Sequence, residues 1–274
     1  APQRFPFGQR PRISPPMEVP MLAIERRSMI LNQLKNEKRV TVSDMSAKFG
    51  VSEETIRRDM ERLEQEGYAT RTYGGAVYNE DSRELPYEVR KRTNVEAKQR
   101  IAAQVAAMIS DGDYVMLDES TTSMYIARAL KVRRNITLIT NSIEIVLELA
   151  GDVQGWNIHC TGGQLKPYAL AFTGHRAESM VGAYHVNFTV ISCEGLDLEA
   201  GYTDSREENA LLKRAMMASA KKIILAADGD KFGKTSFVSV GRLDELDTLV
   251  TDRDPGEEWR TRLEEAGVRL VIAE

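Results

Sequence analysis

Cysteine is nearly absent from this chain, with only Cys160 and Cys193 among 274 residues. Both fall in apolar, β-like runs without ligand spacing, and the three histidines, His159, His175 and His185, supply none either. A disulfide framework and a metal site are therefore set aside, and buried thiols in a reducing compartment are expected. No apolar run approaches the roughly 18 residues that cross a bilayer. No stretch has the basic, apolar, small-residue order of a secretory signal. A cytoplasmic protein with no cofactor and no membrane partner is expected. An excess of positive charge is lacking too: the formal net charge is −4. Its distribution is uneven, because residues 1–78 hold 13 Lys and Arg against 10 Asp and Glu, and the remainder 24 against 31. Phosphates are felt only within a Debye length of roughly 10 Å, so a basic head on an acidic body remains compatible with nucleic acid.

Proline is scarce except at the start, where Pro2, Pro6, Pro11, Pro15, Pro16 and Pro20 predict a disordered leader over 1–20. Residues 21–78 read as one small domain. A helix is expected over 24–37, with Ile24, Ile30, Leu31 and Leu34 on one side. A short helix over 43–49 follows, with Ser43 as its cap, then a third from Ser52 to Gln65 that Gly67 ends. Residues 68–78 read as a hairpin around Gly74 and Gly75. Residues 79–95 are polar, contain Pro86 and read as a linker. From Glu96 to Glu274 helical and strand patterns alternate, which predicts a mostly parallel α/β sheet.

The segment Val42 to Met60 has helix-turn-helix logic. Ser46 is small enough for a tight helix crossing, and Gly50, four residues on, suits a turn that needs positive φ. On the third helix Ile56, Met60 and Leu63 follow i, i+4, i+7 spacing and must face inward, which leaves Thr55, Arg57 and Arg58 outside or flanking. Ser43, Ser52, Glu54, Thr55, Arg57, Arg58 and Arg62 are the candidate DNA-reading residues of the two helices, with Arg71, Tyr73, Gly74 and Gly75 as a wing. Arginine reads guanine O6 and N7 in the major groove. The competing reading is a solvated helix face with salt-bridged arginines.

The run Gly50-Val51-Ser52-Glu53-Glu54-Thr55-Ile56-Arg57-Arg58-Asp59, with Leu63-Glu64, Gly67 and Arg71 to Ala76, resembles the signature of the DeoR family of bacterial transcriptional regulators. The resemblance continues through Leu117-Asp118, Thr121-Thr122, Thr140-Asn141-Ser142, Gly162-Gly163, Gly174, Gly195, Gly201, Lys213 and Asp228 to Gly233. It implies a winged helix-turn-helix followed by a sensor domain similar in fold to ribose-5-phosphate isomerase and glucosamine-phosphate deaminase. It further implies repression of a carbohydrate-use operon, release from double-stranded operator DNA by a phosphorylated sugar or polyol, and a homodimer or tetramer. Three positions depart from the family pattern: Tyr73 where histidine is usual, Ser120 where glycine is usual, and Glu119, which adds a charge.

Ligands of α/β sheets bind beyond the carboxyl ends of strands. Asp118, Ser120, Thr121 and Thr122 follow one expected strand, and Thr140, Asn141 and Ser142 the next. With helix N-terminal N–H groups they would form a neutral anion cradle, although ordinary helix capping accounts for the same residues. Gly162 and Gly163 read equally as a turn or as room for a ligand. Lys213 and Lys231 are candidate counter-charges, and Asp228 a partner for sugar hydroxyls. An enzyme is the alternative, a sugar-phosphate isomerase with Glu194 or Asp197 as base and Lys213 as the stabilising cation. The expectation is a regulator and not an enzyme.

Overall fold

The computed structural model describes residues 22–65, 68–78, 87–167 and 169–274, in two compact units divided between residues 79 and 80. The expected leader, Gly67, Pro86 and much of the expected linker lie outside the described residues. In the first unit, helix α1 (Ala23–Glu37) leads to strand β1 (Arg39–Thr41), helices α2 (Val42–Phe49) and α3 (Glu53–Gln65), and strands β2 (Ala69–Thr72) and β3 (Gly75–Tyr78). The strands form an antiparallel sheet in the order β1-β3-β2, so the hairpin has a third strand that the sequence pattern did not reveal.

Ile30, Leu31, Leu34, Met45, Ile56, Met60 and Leu63 make the core of this unit, each almost fully buried. Between α2 and α3, Gly50 adopts φ 63° and its N–H donates to the Ser46 carbonyl. Ser46 does more than leave space: its hydroxyl donates to the Val51 carbonyl at 2.6 Å, which pins the turn from the other side. The cap of α2 is Thr41, not Ser43. The Thr41 backbone is still extended, as the last residue of β1, and its Oγ1 accepts from the Asp44 N–H at 3.1 Å. Ser43 is exposed in the first turn. Ser52 does cap α3, accepting from the Thr55 N–H at 3.3 Å.

The second unit begins with helix α4 (Tyr87–Arg92), inside the stretch expected to be linker. Tyr87 and Val89 are buried there, which the four charged neighbours Glu88, Arg90, Lys91 and Arg92 obscure in the sequence. Next come α5 (Val95–Met108), β4 (Tyr114–Leu117), α6 (Thr121–Ala129), β5 (Thr137–Thr140), α7 (Ile143–Leu149) and β6 (Asn157–Cys160). A hairpin of β7 (Gln164–Lys166) and β8 (Ala171–Thr173) leads to α8 (His175–Val181) and β9 (Val186–Ile191). Then follow β10 (Gly195–Asp197), β11 (Gly201–Asp204), α9 (Glu207–Ala218), β12 (Ala220–Ala226) and β13 (Val238–Gly241). The chain closes with β14 (Thr248–Thr251), α10 (Glu257–Glu265) and β15 (Arg269–Ile272).

The main sheet is parallel in the order β15-β14-β12-β9-β4-β5-β6. Alternate strand residues serve opposite faces: Val115 and Leu117 pack with Ile101, Val105 and Ile126, while Met116 packs with Val181, Leu212 and Met216. Strands β10, β11 and β13 form a separate antiparallel sheet. Both cysteines are free, and Cys160 is exposed rather than buried because β6 is an edge strand. Cys193 is buried, and burial pushes its thiol up to about 12.

Asp59 lies on α3 beside the exposed Arg57 and Arg58, yet its carboxylate is buried and takes the Arg26 guanidinium of α1 at 2.5 Å, with Arg27 at 3.6 Å. Breaking a buried ion pair leaves one charge without compensation. Asp59→Ala should therefore cost this unit about 3–5 kcal/mol, seen as faster amide exchange in α1 and α3 of the full chain. Glu53→Ala, which removes an exposed partner of Arg57, should cost less than about 1 kcal/mol.

Candidate functional site

Two sets of residues stand out, one in each unit. In the first, the inward stripe of α3 leaves Arg57 and Arg58 exposed and Thr55 half-exposed. Arg57 pairs with Glu53 at 2.6 Å and Arg58 with Glu54 at 3.4 Å, each one turn back and each with both side chains open to solvent. Exposed i, i+4 pairs contribute about 0.3–0.5 kcal/mol, against about 1–3 kcal/mol for a bidentate contact to guanine. The salt-bridged face and the face expected to read DNA are thus the same face, and these exposed pairs are weak enough to be exchanged for a stronger contact. Arg62, in the last turn, is also exposed.

The wing turns at Tyr73 and Gly74. Tyr73 is fully exposed (111%), and the Gly74 carbonyl accepts from the Val42 N–H at 2.8 Å. Gly75 faces β1 so closely that a Cβ would lie 2.0 Å from the Val40 carbonyl oxygen. Glycine is therefore required here by contact. Arg71 is fastened to α3, its backbone N–H and Nε both donating to the Glu64 carboxylate at 2.9 and 2.7 Å.

In the second unit the chain lays β4, β5 and β6 toward one edge of the main sheet, then returns to place β9, β12, β14 and β15 toward the other. The reversal lies between β4 and β9, and in open α/β sheets the ligand crevice forms at such a point, beyond the carboxyl ends. Here Asp118 reaches across it: Oδ2 accepts from the Ser192 N–H at 2.8 Å, and Oδ1 from the Ser123 hydroxyl at 2.5 Å and the Ser120 N–H at 3.1 Å. The Lys213 ammonium, from α9, donates to Asp204 at 2.6 Å and to the Ser192 carbonyl at 2.9 Å. Asp118 lies 3.4 Å and Glu119 3.9 Å from the same nitrogen. All four side chains are buried.

Burial works against charge on Lys213, but Asp204, Glu119 and Asp118 outweigh it and hold its pKa well above the ordinary lysine value. Burial is also the largest influence on Glu119. Lys213 opposes it, Asp118 and Asp204 reinforce it, and the carboxyl is pushed up to about 7. Glu119 accepts from the Asn141 Nδ2 at 3.1 Å, and the same nitrogen donates to the Phe172 carbonyl at 3.0 Å. The Asn141 Oδ1 is buried without a partner, as are Thr173 Oγ1, Ser205 Oγ and Asn209 Oδ1.

Among the other expected ligand residues, the hydroxyls act largely as caps. Ser120 accepts from the Ser123 N–H, Ser142 from the Ile145 N–H and Thr140 from the Ser142 N–H. Thr121 and Thr122 are buried in the first turn of α6. Gly162 and Gly163 form the turn from β6 into β7. Asp228 and Lys231 stand beyond the end of β12, on the far side of β9 from Asp118. Asp228 is buried and accepts from Asn94 at 3.2 Å and from the Asp230 N–H at 3.1 Å, while Lys231 is half-exposed.

Residues 26–82 match the DeoR-like helix-turn-helix domain, and residues 93–253 the DeoR C terminal sensor domain. The chain belongs to the DeoR family of transcriptional regulators. It is 39% identical over 233 residues to the uncharacterized HTH-type transcriptional regulator YulB of Bacillus subtilis (strain 168), a match covering 85% of this chain and 90% of that one. It is 36% identical over 251 residues to the HTH-type transcriptional repressor GlcR of the same organism, covering 91% and 96%. Ribose 5 phosphate isomerase A from Neisseria gonorrhoeae is similar in structure at 13% identity, with a TM-score of 0.36 over 51% of this chain and 54% of that one. Among the described residues of this DeoR-family chain, no helix is long and apolar enough to cross a membrane, and no group of acidic, histidine or cysteine side chains is arranged to hold a metal.

Four residues of this DeoR-family protein escaped sequence reasoning: Arg26 and Asp59 in the first unit, and Ser192 and Asp204 around Lys213. Asp204 and Lys213 are nine residues apart, a spacing that signals nothing by itself. The titration of Glu119 has a definite sign. Below about 4.5 folded and unfolded chains both hold its proton; between there and about 7 only the folded chain does. Stability from this group is thus lost as pH rises through that window. The stability of wild type relative to Glu119→Gln should fall by about 1–3 kcal/mol between pH 5 and pH 8, read by urea unfolding. A flat difference would mean that the carboxyl is ionised throughout.

Proposed function

We propose that this chain is a sequence-specific DNA-binding repressor of a carbohydrate-use operon, released from its operator by a phosphorylated sugar or related metabolite. The observation that carries the DNA reading is the solvent-facing Thr55, Arg57 and Arg58 edge of α3, whose opposite side is locked into the core. A homodimer or tetramer would set two α3 helices in successive major grooves about 34 Å apart. Tyr73 and the wing backbone would lie along a phosphate strand or minor groove.

Release needs a link from the crevice to the start of the second unit, and α4 supplies it. The Tyr125 hydroxyl of α6 donates to the Lys91 carbonyl at 3.1 Å, and Lys91 pairs with Glu144 of α7 at 2.7 Å. Lys98 donates to the Arg90 and Thr93 carbonyls at the end of α4, at 2.5 and 2.7 Å. The helices α6 and α7 open at the crevice, so a ligand that shifts either one shifts α4. A coupling of about 1–3 kcal/mol would change operator affinity about 5- to 150-fold.

An isomerase is the weaker reading. Asp197 accepts from the Glu199 and Ala200 N–H groups, both at 2.9 Å, in the β10–β11 turn. These bonds hold its pKa below the ordinary value. A base so engaged is poorly placed to abstract a proton, and Lys213 is already surrounded by carboxylates.

Two measurements follow. Arg58→Ala should weaken binding to the protein's own upstream DNA by about 1–3 kcal/mol in a gel shift, with little change on unrelated DNA; equal binding to its upstream DNA by both proteins removes α3 as the reader. Glu144→Ala should keep operator affinity within about twofold and blunt the response to the releasing metabolite toward the uncoupled limit. A full response would discard the route through α4.

A further inference from the structure

Arg71 differs from the other arginines expected to meet DNA. Arg57 and Arg58 each pair with a glutamate one turn back on the same helix, so those pairs join no two elements. Arg71 crosses from β2 to α3. Its backbone N–H donates to Glu64 Oε1 at 2.9 Å and its Nε to Oε2 at 2.7 Å, so one carboxylate holds main chain and side chain together. Glu61, nearly one turn earlier on α3, adds a weaker attraction. The guanidinium thus faces two carboxylates, and a phosphate approaching it would meet net negative charge.

The place of β2 in the sheet gives this contact a purpose. Strand β3 is held on its β1 side by the ladder, by the bond from the Val42 N–H to the Gly74 carbonyl and by the close approach at Gly75. Strand β2 is the outer strand, paired to β3 with Arg71 opposite Ala76, and no strand lies beyond it among the described residues. Glu64 takes the N–H that Arg71 presents away from β3. Ala69 and Arg71 share one face of β2, and Ala69 is buried, so Arg71 is turned toward α3. Tyr73 follows two residues later, fully exposed at the turn. Where its ring stands relative to α3 depends on how β2 is fastened.

We infer that Glu64 and Arg71 are positioning residues: their clasp fixes the wing to the C-terminal end of α3, and Arg71 acts on DNA through the placement of Tyr73 and not by touching phosphate. The inference rests on the proposal that α3 and the wing bind operator DNA. It adds Glu64 to the residues that binding depends on and takes Arg71 out of those that touch the duplex.

Gel shifts of the full chain on its own upstream DNA, run across a range of salt, test the assignment. Glu64→Ala and Arg71→Ala should each weaken binding by about three- to tenfold, and the double variant by no more than the worse of the two. The salt dependence should match wild type in all three. Glu64→Gln, which keeps an acceptor for the Arg71 backbone N–H, should recover most of the loss. Tyr73→Ala should cost less in the Glu64→Ala background than in wild type. A direct phosphate contact gives the opposite pattern: Arg71→Ala lowers the salt slope by about one, and Glu64→Ala, with one negative charge fewer, binds as tightly as wild type or more tightly. That pattern overturns the inference, as does full additivity of the two variants. In the free chain, exchange of the Arg71 amide should rise at least about tenfold in Glu64→Ala; unchanged exchange removes the clasp. Binding by wild type is the separate control, and its absence would sink the operator reading while the exchange decides the clasp.

Discussion

Lys213 is the constraint on which the second unit turns. Its ammonium leaves water entirely, and the structure repays that cost with Asp204, Asp118 and the Ser192 carbonyl just beyond β9. One side chain on α9 thereby ties β11, the loop after β4 and the end of β9 at the place where the sheet reverses its direction of growth. A buried charge of this kind is weak evidence for stability but fixes geometry well, because the alternative arrangements leave a charge unpaired. The same contacts make the cluster acidic, and Glu119, 3.9 Å from the ammonium and hydrogen-bonded to the Asn141 amide, is the member whose pKa burial raises to about 7.

A parallel arrangement sorts the charges of the first unit. Asp59 is turned inward to Arg26, while Arg57 and Arg58 on neighbouring positions of α3 are turned outward to weak, exposed partners. The buried pair sets the orientation of the helix, and the exposed pairs are weak enough to be given up for the DNA contacts proposed above. Gly75 adds a second fixed point, because the approach of β3 to the Val40 carbonyl leaves no room for a side chain and holds the wing against β1.

Much of this was legible in the sequence. The Ile56–Met60–Leu63 stripe, the turn at Gly50 and the alternation of helix and strand that builds the parallel sheet announced themselves in the sequence, since each couples local pattern to burial. Strands β1, β7, β8, β10, β11 and β13 did not, because segments of three or four residues carry too little alternation and their hydrogen-bond partners lie far along the chain. Cys160 read as buried because its run is apolar, yet an edge strand lacks a neighbour on one side. Ser43 and Thr41 differ as caps by two residues, within the usual blur of helix ends. The loop after β4 was legible as a ligand site, but its character was not: nothing in Asp118–Ser123 reveals that Asp204 and Lys213 converge on it and turn an expected neutral cradle into an acidic one.

In the proposed mechanism, events at the β4–β9 crevice reach the DNA-binding unit through α4. Hydrogen exchange on the operator-bound full chain, before and after adding the compound that releases DNA, tests this most directly. Protection should rise at the loops around Asp118, Asn141 and Ser192, and exchange should change in α4. Release accompanied by protection elsewhere, with these loops and α4 unaltered, would contradict it.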